Sequence, residues 1–176
     1  KDDHSYQGTF KVLSPLKEEL VEKISQLEEI VIKINFVSAE KELATTPFET
    51  VRAFIDFIKP FYRGKIIIAE AASSGNTKEG FKRFGFQKLA DEDPQVEVFD
   101  TAEDEFEEII VGYKKKTFAF PVAKIYLRSP FTVSITRAKT HDVVVATLGI
   151  KNLIVGAVKM EDRPKFHQGK GIHWLI

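Results

Sequence analysis

Residues 137–152, RAKTHDVVVATLGIKN, place groups that can bind an anion or move a proton beside runs of apolar side chains. Lys139 and Lys151 are cationic, and His141 can exchange a proton near neutral pH. Because Lys151 has apolar neighbours, burial is expected to lower its pKa, which suits a base or a covalent attachment point. We therefore predict His141 and Lys151 as catalytic groups. The alternatives are an exposed lysine on an amphipathic helix and a structural or surface histidine.

Two more loops carry hydrogen-bonding side chains directly after apolar segments. In an open parallel sheet, ligands bind beyond the carboxyl ends of the strands, and free N–H groups at helix N-termini favour anions. We therefore expect all three loops to form one site for a phosphate or carboxylate. The alternative is that Ser, Thr and Asn serve as caps and turn residues. The expected ligand contacts are Asn35, Thr46, Ser73, Ser74, Lys139, Thr140 and Asn152.

The elements that must position these groups are strands and helices in alternation. Apolar segments predict strands at residues 30–34, 65–70, 96–100 and 131–136, and the second is apolar enough to be buried on both faces. Residues 118–127 read as extended, with Pro121 indicating an edge or a break. The pattern predicts an α/β fold. Its sheet is mostly parallel and is built from βαβ units with helices on both faces. The pattern also allows an antiparallel strand at the edge of the sheet.

Cap chemistry predicts where several helices begin and end. Ser14, followed by proline, begins one helix as its N-cap. Residues 46–49, TPFE, form a capping box for a second helix. Asn76 with Glu79 caps a third, which Gly85 ends.

Residues 143–155 are ambiguous between strand and helix. Their β-branched content favours a strand, whereas Asp142 as N-cap and the spacing of the apolar residues favour a helix. We predict a helix here.

Composition restricts the function classes. The 176 residues carry 26 bases and 26 acids, so net charge does not nominate nucleic acid or an acidic membrane as partner. Without cysteine, the chain forms no disulfide and holds no thiolate zinc or cysteine-ligated iron–sulfur cluster. No apolar run reaches the roughly 18 residues of a membrane span. We expect one cytoplasmic domain over residues 1–176.

Three less specific features have alternative explanations. Residues 91–110 carry ten acids and no base, which predicts either a solvated face or a partner surface. Residues 113–120, YKKKTFAF, mix bases with aromatics as nucleic-acid sites do, but a solvated turn beside a strand is the preferred explanation. Histidines 141, 167 and 173 with nearby acids match no standard metal-ligand spacing, so no metal site is predicted.

Several motifs resemble the domain of unknown function 362 family of prokaryotic proteins. They are IVIKINFVS, TTPFETVRAFIDFIK, KIIIAEAASSGNTKEGFKRFGF, AKTHDVVVATLGIKNLIVG and DRPKFH. The fourth is the most specific, since it resembles the family's Lys-x-Lys-Thr-His followed by Thr-Leu-x-x-Lys-Asn-Leu, with Arg137 at the first lysine. Beyond the contacts already named, the resemblance implies ligand-binding roles for Lys33, Thr147, Arg163 and His167.

The resemblance implies a fold and a site rather than a reaction, because the family has no established general reaction. Family proteins usually continue with a further α/β segment, so we expect this domain to be truncated at its C-terminus. Many also carry a ferredoxin-like module, which makes an iron–sulfur partner possible here. A more distant similarity to the N-terminal domain of nickel-pincer lactate racemases implies that Lys151 holds a nucleotide-like cofactor and that His141 or His167 shuttles protons.

Two main hypotheses follow. In the first, the chain is an enzyme domain that binds an anionic small molecule or cofactor at the carboxyl ends of the strands. In the second, it is a non-catalytic module that binds a cofactor or docks onto an iron–sulfur redox partner through the acidic run. Neither the cofactor nor the oligomeric state can be identified from the sequence.

Overall fold

A four-stranded parallel sheet forms the centre of the molecule, and its strands lie side by side in the order 96–100, 65–70, 29–33 and 132–134. The computed structural model describes residues 3–113, 116–141 and 145–166. The strands are β1 (Glu29–Lys33), β2 (Lys65–Glu70), β3 (Val96–Asp100), β4 (Phe106–Tyr113), β5 (Lys116–Ala123), β6 (Thr132–Ser134), β7 (Lys139–His141) and β8 (Val145–Thr147). The helices are α1 (Asp3–Leu13), α2 (Lys17–Ile24), α3 (Phe48–Ile58), α4 (Thr77–Arg83), α5 (Phe86–Glu92), α6 (Lys124–Arg128) and α7 (Gly149–Gly156). Short 3-10 helices cover Ser14–Leu16, Glu42–Ala44, Thr101–Glu103 and Met160–Phe166.

Both faces of the sheet are covered, as the continuous apolar runs of β1 and β2 predict. On one face, alternate residues of these strands pack in a core with side chains of α3, α4 and α5, and Phe10 of α1 reaches the same core. On the other face, Val31, Ile67 and Ala69 pack against Ile125 and Tyr126 of α6. The predicted α/β class with a parallel sheet and helices on both faces is therefore confirmed.

Antiparallel pairing occurs outside the central sheet, in two separate hairpins, β4–β5 and β7–β8. The β4–β5 hairpin packs Phe120 against Val155 of α7 and against Val158 and Phe166, which follow that helix. Pro121 pairs opposite Glu108 in this hairpin, and its carbonyl accepts a hydrogen bond from the Lys159 N–H at 2.9 Å. The hairpin therefore anchors the segment that carries Arg163.

Two of the predicted helix starts differ from the structure. The Ser14 hydroxyl donates to the Phe10 carbonyl at 2.7 Å, because the chain is already helical from Asp3. Residues 46–49 do not form a capping box, since the N-cap of α3 is Pro47 and no side chain caps it. The predicted cap of α4 is confirmed: the Asn76 Oδ1 accepts from the Glu79 N–H at 3.0 Å.

Two secondary-structure predictions, a helix over residues 143–155 and an extended segment over residues 118–127, were partly wrong. Residues 142–144 lie outside the described residues. The described remainder of the predicted helix, residues 145–155, divides into strand β8 and helix α7, and the helix begins at Gly149. Residues 118–127 are extended only to Ala123 and continue as α6. In both places a strand and a short helix are joined directly, and apolar periodicity alone does not separate them.

None of the helices in the described part of the chain is long and apolar enough to cross a bilayer.

Candidate functional site

A buried ion pair joins the carboxyl ends of β1 and β2. The Lys33 Nζ donates to the Glu70 Oε2 at 2.7 Å and to the Ile34 carbonyl at 2.8 Å, and neither side chain is appreciably exposed. Glu70 also accepts from the backbone N–H groups of Phe36 at 3.2 Å and Ala71 at 2.8 Å. Burial lowers the pKa of Lys33, and Glu70 opposes that shift. Lys33 has no exposed surface, and its ammonium joins the carboxyl ends of the two strands.

Helix α7 lies close against this pair. A Cβ placed on Gly156 would stand 2.9 Å from both Cε and Nζ of Lys33, so only glycine allows the helix to approach so closely. The sequence offers a usable signal for this arrangement. A carboxylate that ends a strand buried on both faces, as Glu70 does, needs a nearby cation.

Asn152 ties α7 to β1 and β6. Its Nδ2 donates to the Ile34 carbonyl and to the Ser134 Oγ, both at 3.1 Å, and its Oδ1 accepts from the Asn35 Nδ2 at 2.8 Å. The side chain is buried. Both ends of this amide are engaged within the protein, so Asn152 joins α7 to the ends of β1 and β6.

Lys139 is a partly buried cation at the same edge of the sheet. Its Nζ donates to the Asn35 Oδ1 and, at 3.1 Å, to the Ala44 carbonyl. Burial lowers the pKa of Lys139, the charges of Arg137, Lys151 and Lys33 lower it further, and Glu70 raises it. Both direct partners are neutral, so the positive charge of Lys139 is held in place without being neutralised.

The Thr46 hydroxyl connects two strand ends. It accepts from the Asn35 N–H and donates to the Ile135 carbonyl, both at 2.8 Å. Thr46 is buried. Its hydroxyl does not cap a helix but fixes the backbone of Asn35.

The loop after β2 contacts the C-terminal segment through Arg163. The guanidinium donates to the Ala71 carbonyl at 3.2 Å and to the Ser73 Oγ at 3.4 Å. The Ser74 Oγ donates to the Val37 carbonyl at 3.1 Å, in the loop after β1. The loops after β1 and β2 are therefore joined, and Lys139 contacts the first of them through Ala44.

The remaining predicted residues are placed less completely. Thr140 is exposed on β7, and Lys151 is partly buried on α7. The side chains of His141 and Thr147, and the whole of His167, lie outside the described part of the chain. Sequence reasoning did not select Arg137, Glu70, Ser134 or Gly156, which the structure brings to the same edge.

No metal centre is formed by the described residues, where no group of three or more His, Asp or Glu side chains has the required arrangement. His173 and Asp142, two of the possible ligands considered from the sequence, lie outside those residues.

Comparison with known proteins gives one result. No curated protein and no solved structure matches the chain, so the likeness to nickel-pincer lactate racemases finds no support there. A family described as a domain of unknown function, DUF362, matches residues 30–174. This range contains the parallel sheet apart from Glu29, both hairpins and the residues of the candidate site. The chain therefore belongs to the DUF362 family.

Proposed function

We propose that this chain is an enzyme domain that binds an anionic small molecule or cofactor, bearing a phosphate or carboxylate, beside the carboxyl ends of β1 and β6. The observation that carries the proposal is the environment of Lys139. Its ammonium is partly buried and bonded to an amide oxygen and a carbonyl. Among the described residues it forms no ion pair with a carboxylate. A desolvated cation of this kind is stabilised by an anionic ligand.

The surrounding charges support the same conclusion. The charges of Arg137, Lys151 and Lys33 lower the pKa of Lys139, whereas among the described residues Glu70 is the one carboxylate that raises it. Glu70 is already engaged by Lys33 and by two backbone N–H groups. The excess of positive charge raises the local concentration of anions and favours their binding.

In this proposal the residues divide into two groups. Lys139 and Lys151 hold the anion, with Thr140 at the rim, and Ser73 and Ser74 orient the ligand. Asn35, Thr46 and Asn152 position Lys139 through the hydrogen bonds described above.

The catalytic roles rest on residue chemistry. His141 would move a proton and Lys151 would act as a base or hold a cofactor covalently. Thr147 and His167 are further proposed contacts.

The alternative is a non-catalytic module that docks onto an iron–sulfur partner through the acidic run 91–110. In the structure, several of these acids pair with lysines of the same chain. The pairs are Asp93–Lys59, Glu97–Lys65, Glu103–Lys78 and Glu105–Lys124. Their charges are partly balanced within the chain, so the run is a weaker partner surface than its composition indicates.

Sulfate titration tests the anion site, because sulfate keeps its charge over the useful pH range. We expect sulfate, at constant ionic strength, to shift the amide resonances of Asn35 and Thr45 in a saturable manner. Replacing Lys139 by Gln removes a charged hydrogen-bond donor worth about 1.5–3 kcal/mol, so binding should weaken at least about tenfold. The control is Lys82→Gln, an exposed lysine on α4. Equal affinities for wild type and Lys139→Gln would refute the site.

A second experiment separates enzyme from module. Wild type and His141→Asn are incubated with a small-molecule extract of the host, and the extract is followed by mass spectrometry. We expect wild type to consume a phosphorylated or carboxylated species and His141→Asn to leave it intact while retaining sulfate affinity. An extract that wild type leaves unchanged would favour the module. The intact mass of protein purified from its host would reveal any covalent adduct on Lys151.

A further inference from the structure

An apolar pocket lies between the β4–β5 hairpin and helices α6 and α7. Its volume is about 270 Å³. Five elements contribute to its walls, among them β4 with Ile109, β5 with Val122, α6 with Leu127, β6 with Thr132 and α7 with Ile154. Protein interiors are close-packed and leave few voids larger than a water molecule. A gap of this size between packed elements is therefore a candidate binding site.

The pocket lies where two apolar clusters of the fold meet. Phe120 of the hairpin packs against Phe166 with ring centroids 4.3 Å apart, and both belong to the cluster formed by the hairpin and α7. Tyr126 of α6 belongs to the cluster on one face of the central sheet. All three aromatic residues line the pocket. The walls therefore offer aromatic as well as aliphatic surface to a ligand.

The walls are almost entirely apolar. Of the described residues that line the pocket, none has a charged side chain, and only Tyr126 and Thr132 have a polar one. A charged ligand here would lose its hydration without gaining a counter-charge, which is costly. The pocket therefore favours a neutral ligand, in contrast to the surroundings of Lys139.

The walls are also recessed, which limits the size of an occupant. Among the described wall residues Leu127 is the one that is exposed, at 42%, and the others are buried or half-buried. A stable protein partner covers about 800 Å² on each side, much more than one exposed side chain presents. A cavity of about 150 Å³ lined by apolar side chains binds benzene. By the same scale, 270 Å³ has room for about ten non-hydrogen atoms.

We propose that this pocket binds a neutral, apolar small molecule of about ten non-hydrogen atoms. A bicyclic aromatic compound suits the aromatic walls best. The pocket is distinct from the anion site, because α7 presents Ile154 to the pocket and Asn152 to the Ile34 carbonyl and Ser134. The proposal does not rest on the function proposed for Lys139.

Indole, a neutral bicyclic compound, is the probe for the first experiment. We expect indole to shift the amide resonances of Phe120 and Ile154 in a saturable manner and to leave the Gly8 amide of α1 unshifted. The corresponding indole carboxylate has the same ring system with a negative charge, so it should not shift the Phe120 and Ile154 amides. The proposal is overturned if indole leaves both amides unshifted, or if the carboxylate shifts them with equal affinity.

A filling substitution with a matched control tests whether the pocket itself is the site. Ile109→Trp places a larger side chain in the pocket, whereas Ile110→Trp makes the same change on the opposite face of β4, where Ile110 is 67% exposed. Indole affinity should fall at least about tenfold in Ile109→Trp and stay unchanged in Ile110→Trp. Leu153→Trp fills the pocket from α7 and replaces Ile109→Trp if that variant does not fold. Wild-type affinity in a folded filling variant would contradict the proposal.

A second copy of the chain, seated on the pocket, would give a different set of results. Sedimentation would then show a dimer that Ile109→Trp disrupts, and indole would leave the Phe120 amide unshifted. That outcome would also overturn the proposal. Indole is read at Phe120 and Ile154, whereas sulfate is read at Asn35 and Thr45. The two proposals can therefore fail separately.

Discussion

Two lysines at the same edge of the sheet have opposite environments. Lys33 is completely buried and forms an ion pair with Glu70. Lys139 is partly buried and bonded only to neutral acceptors among the described residues. Each is desolvated enough for burial to lower its pKa, so desolvation alone does not distinguish them.

The difference between them lies in the counter-charge. A buried cation that already has a carboxylate contributes to the fold, and breaking such a pair is costly. A cation that lacks one is a place where a ligand can supply it. By this criterion Lys33 belongs to the scaffold.

The largest effect is expected from Glu70→Gln. The substitution leaves the Lys33 ammonium buried without its carboxylate, which should lower the free energy of unfolding by about 3–5 kcal/mol. Urea unfolding at pH 7 measures this. Glu97→Gln is the matched control, because Glu97 pairs with Lys65 on the adjacent strand with both side chains about half exposed, and such pairs contribute about 0–1 kcal/mol. Similar losses for the two variants would contradict the role assigned to the buried pair.

A smaller effect is expected from Gly156→Ala. The added methyl would stand 2.9 Å from the Lys33 Nζ, which Glu70 fixes in place. Overpacking of this kind costs about 1–3 kcal/mol, against a gain of at most about 1 kcal/mol in helix propensity. Gly8→Ala in α1, where a Cβ meets nothing within 4 Å, should stabilise the protein. A thermal unfolding comparison in which Gly156→Ala gains as much as Gly8→Ala would show that α7 tolerates the methyl.

The smallest effect concerns pH. Since the pKa of Lys139 in the folded protein lies below its ordinary value, its ammonium loses its proton at a lower pH than that of an exposed lysine. Sulfate affinity at this site should therefore fall as pH rises through that lowered pKa, by about tenfold. Lys139→Arg keeps its charge throughout and should give a flat profile. Parallel profiles for the two proteins would mean that Lys139 does not carry the pH dependence.

Much of the fold follows from short-range patterns. Continuous apolar strands, the Asn76 cap and Gly85, with φ 87°, are local features, and the structure agrees with each of them. The β4 strand was missed because its glutamates made the acidic run resemble a solvated surface, although Ile109 and Val111 alternate along it. The start of α7 was misplaced because a strand and a helix meet there at Leu148.

The roles of the site residues were harder to predict, because each role depends on whether the polar group has a hydrogen-bond or ion-pair partner within the protein. The sequence placed Lys33, Asn35, Lys139 and Asn152 together but treated all of them as ligand contacts. Their roles divide only when distant partners are known: Glu70 for Lys33, and Ser134 with the Ile34 carbonyl for Asn152. These contacts join residues far apart in the chain, which no local pattern reports.

The most direct measurement is a paired determination of unfolding free energy and sulfate affinity for Lys139→Met. The methionine keeps the apolar stem but removes a desolvated charge, so stability should change by less than about 1 kcal/mol or rise. Sulfate affinity at the Asn35 amide should fall about tenfold or more. A variant that loses several kcal/mol of stability while binding sulfate like wild type would place Lys139 in the scaffold with Lys33 and contradict the account.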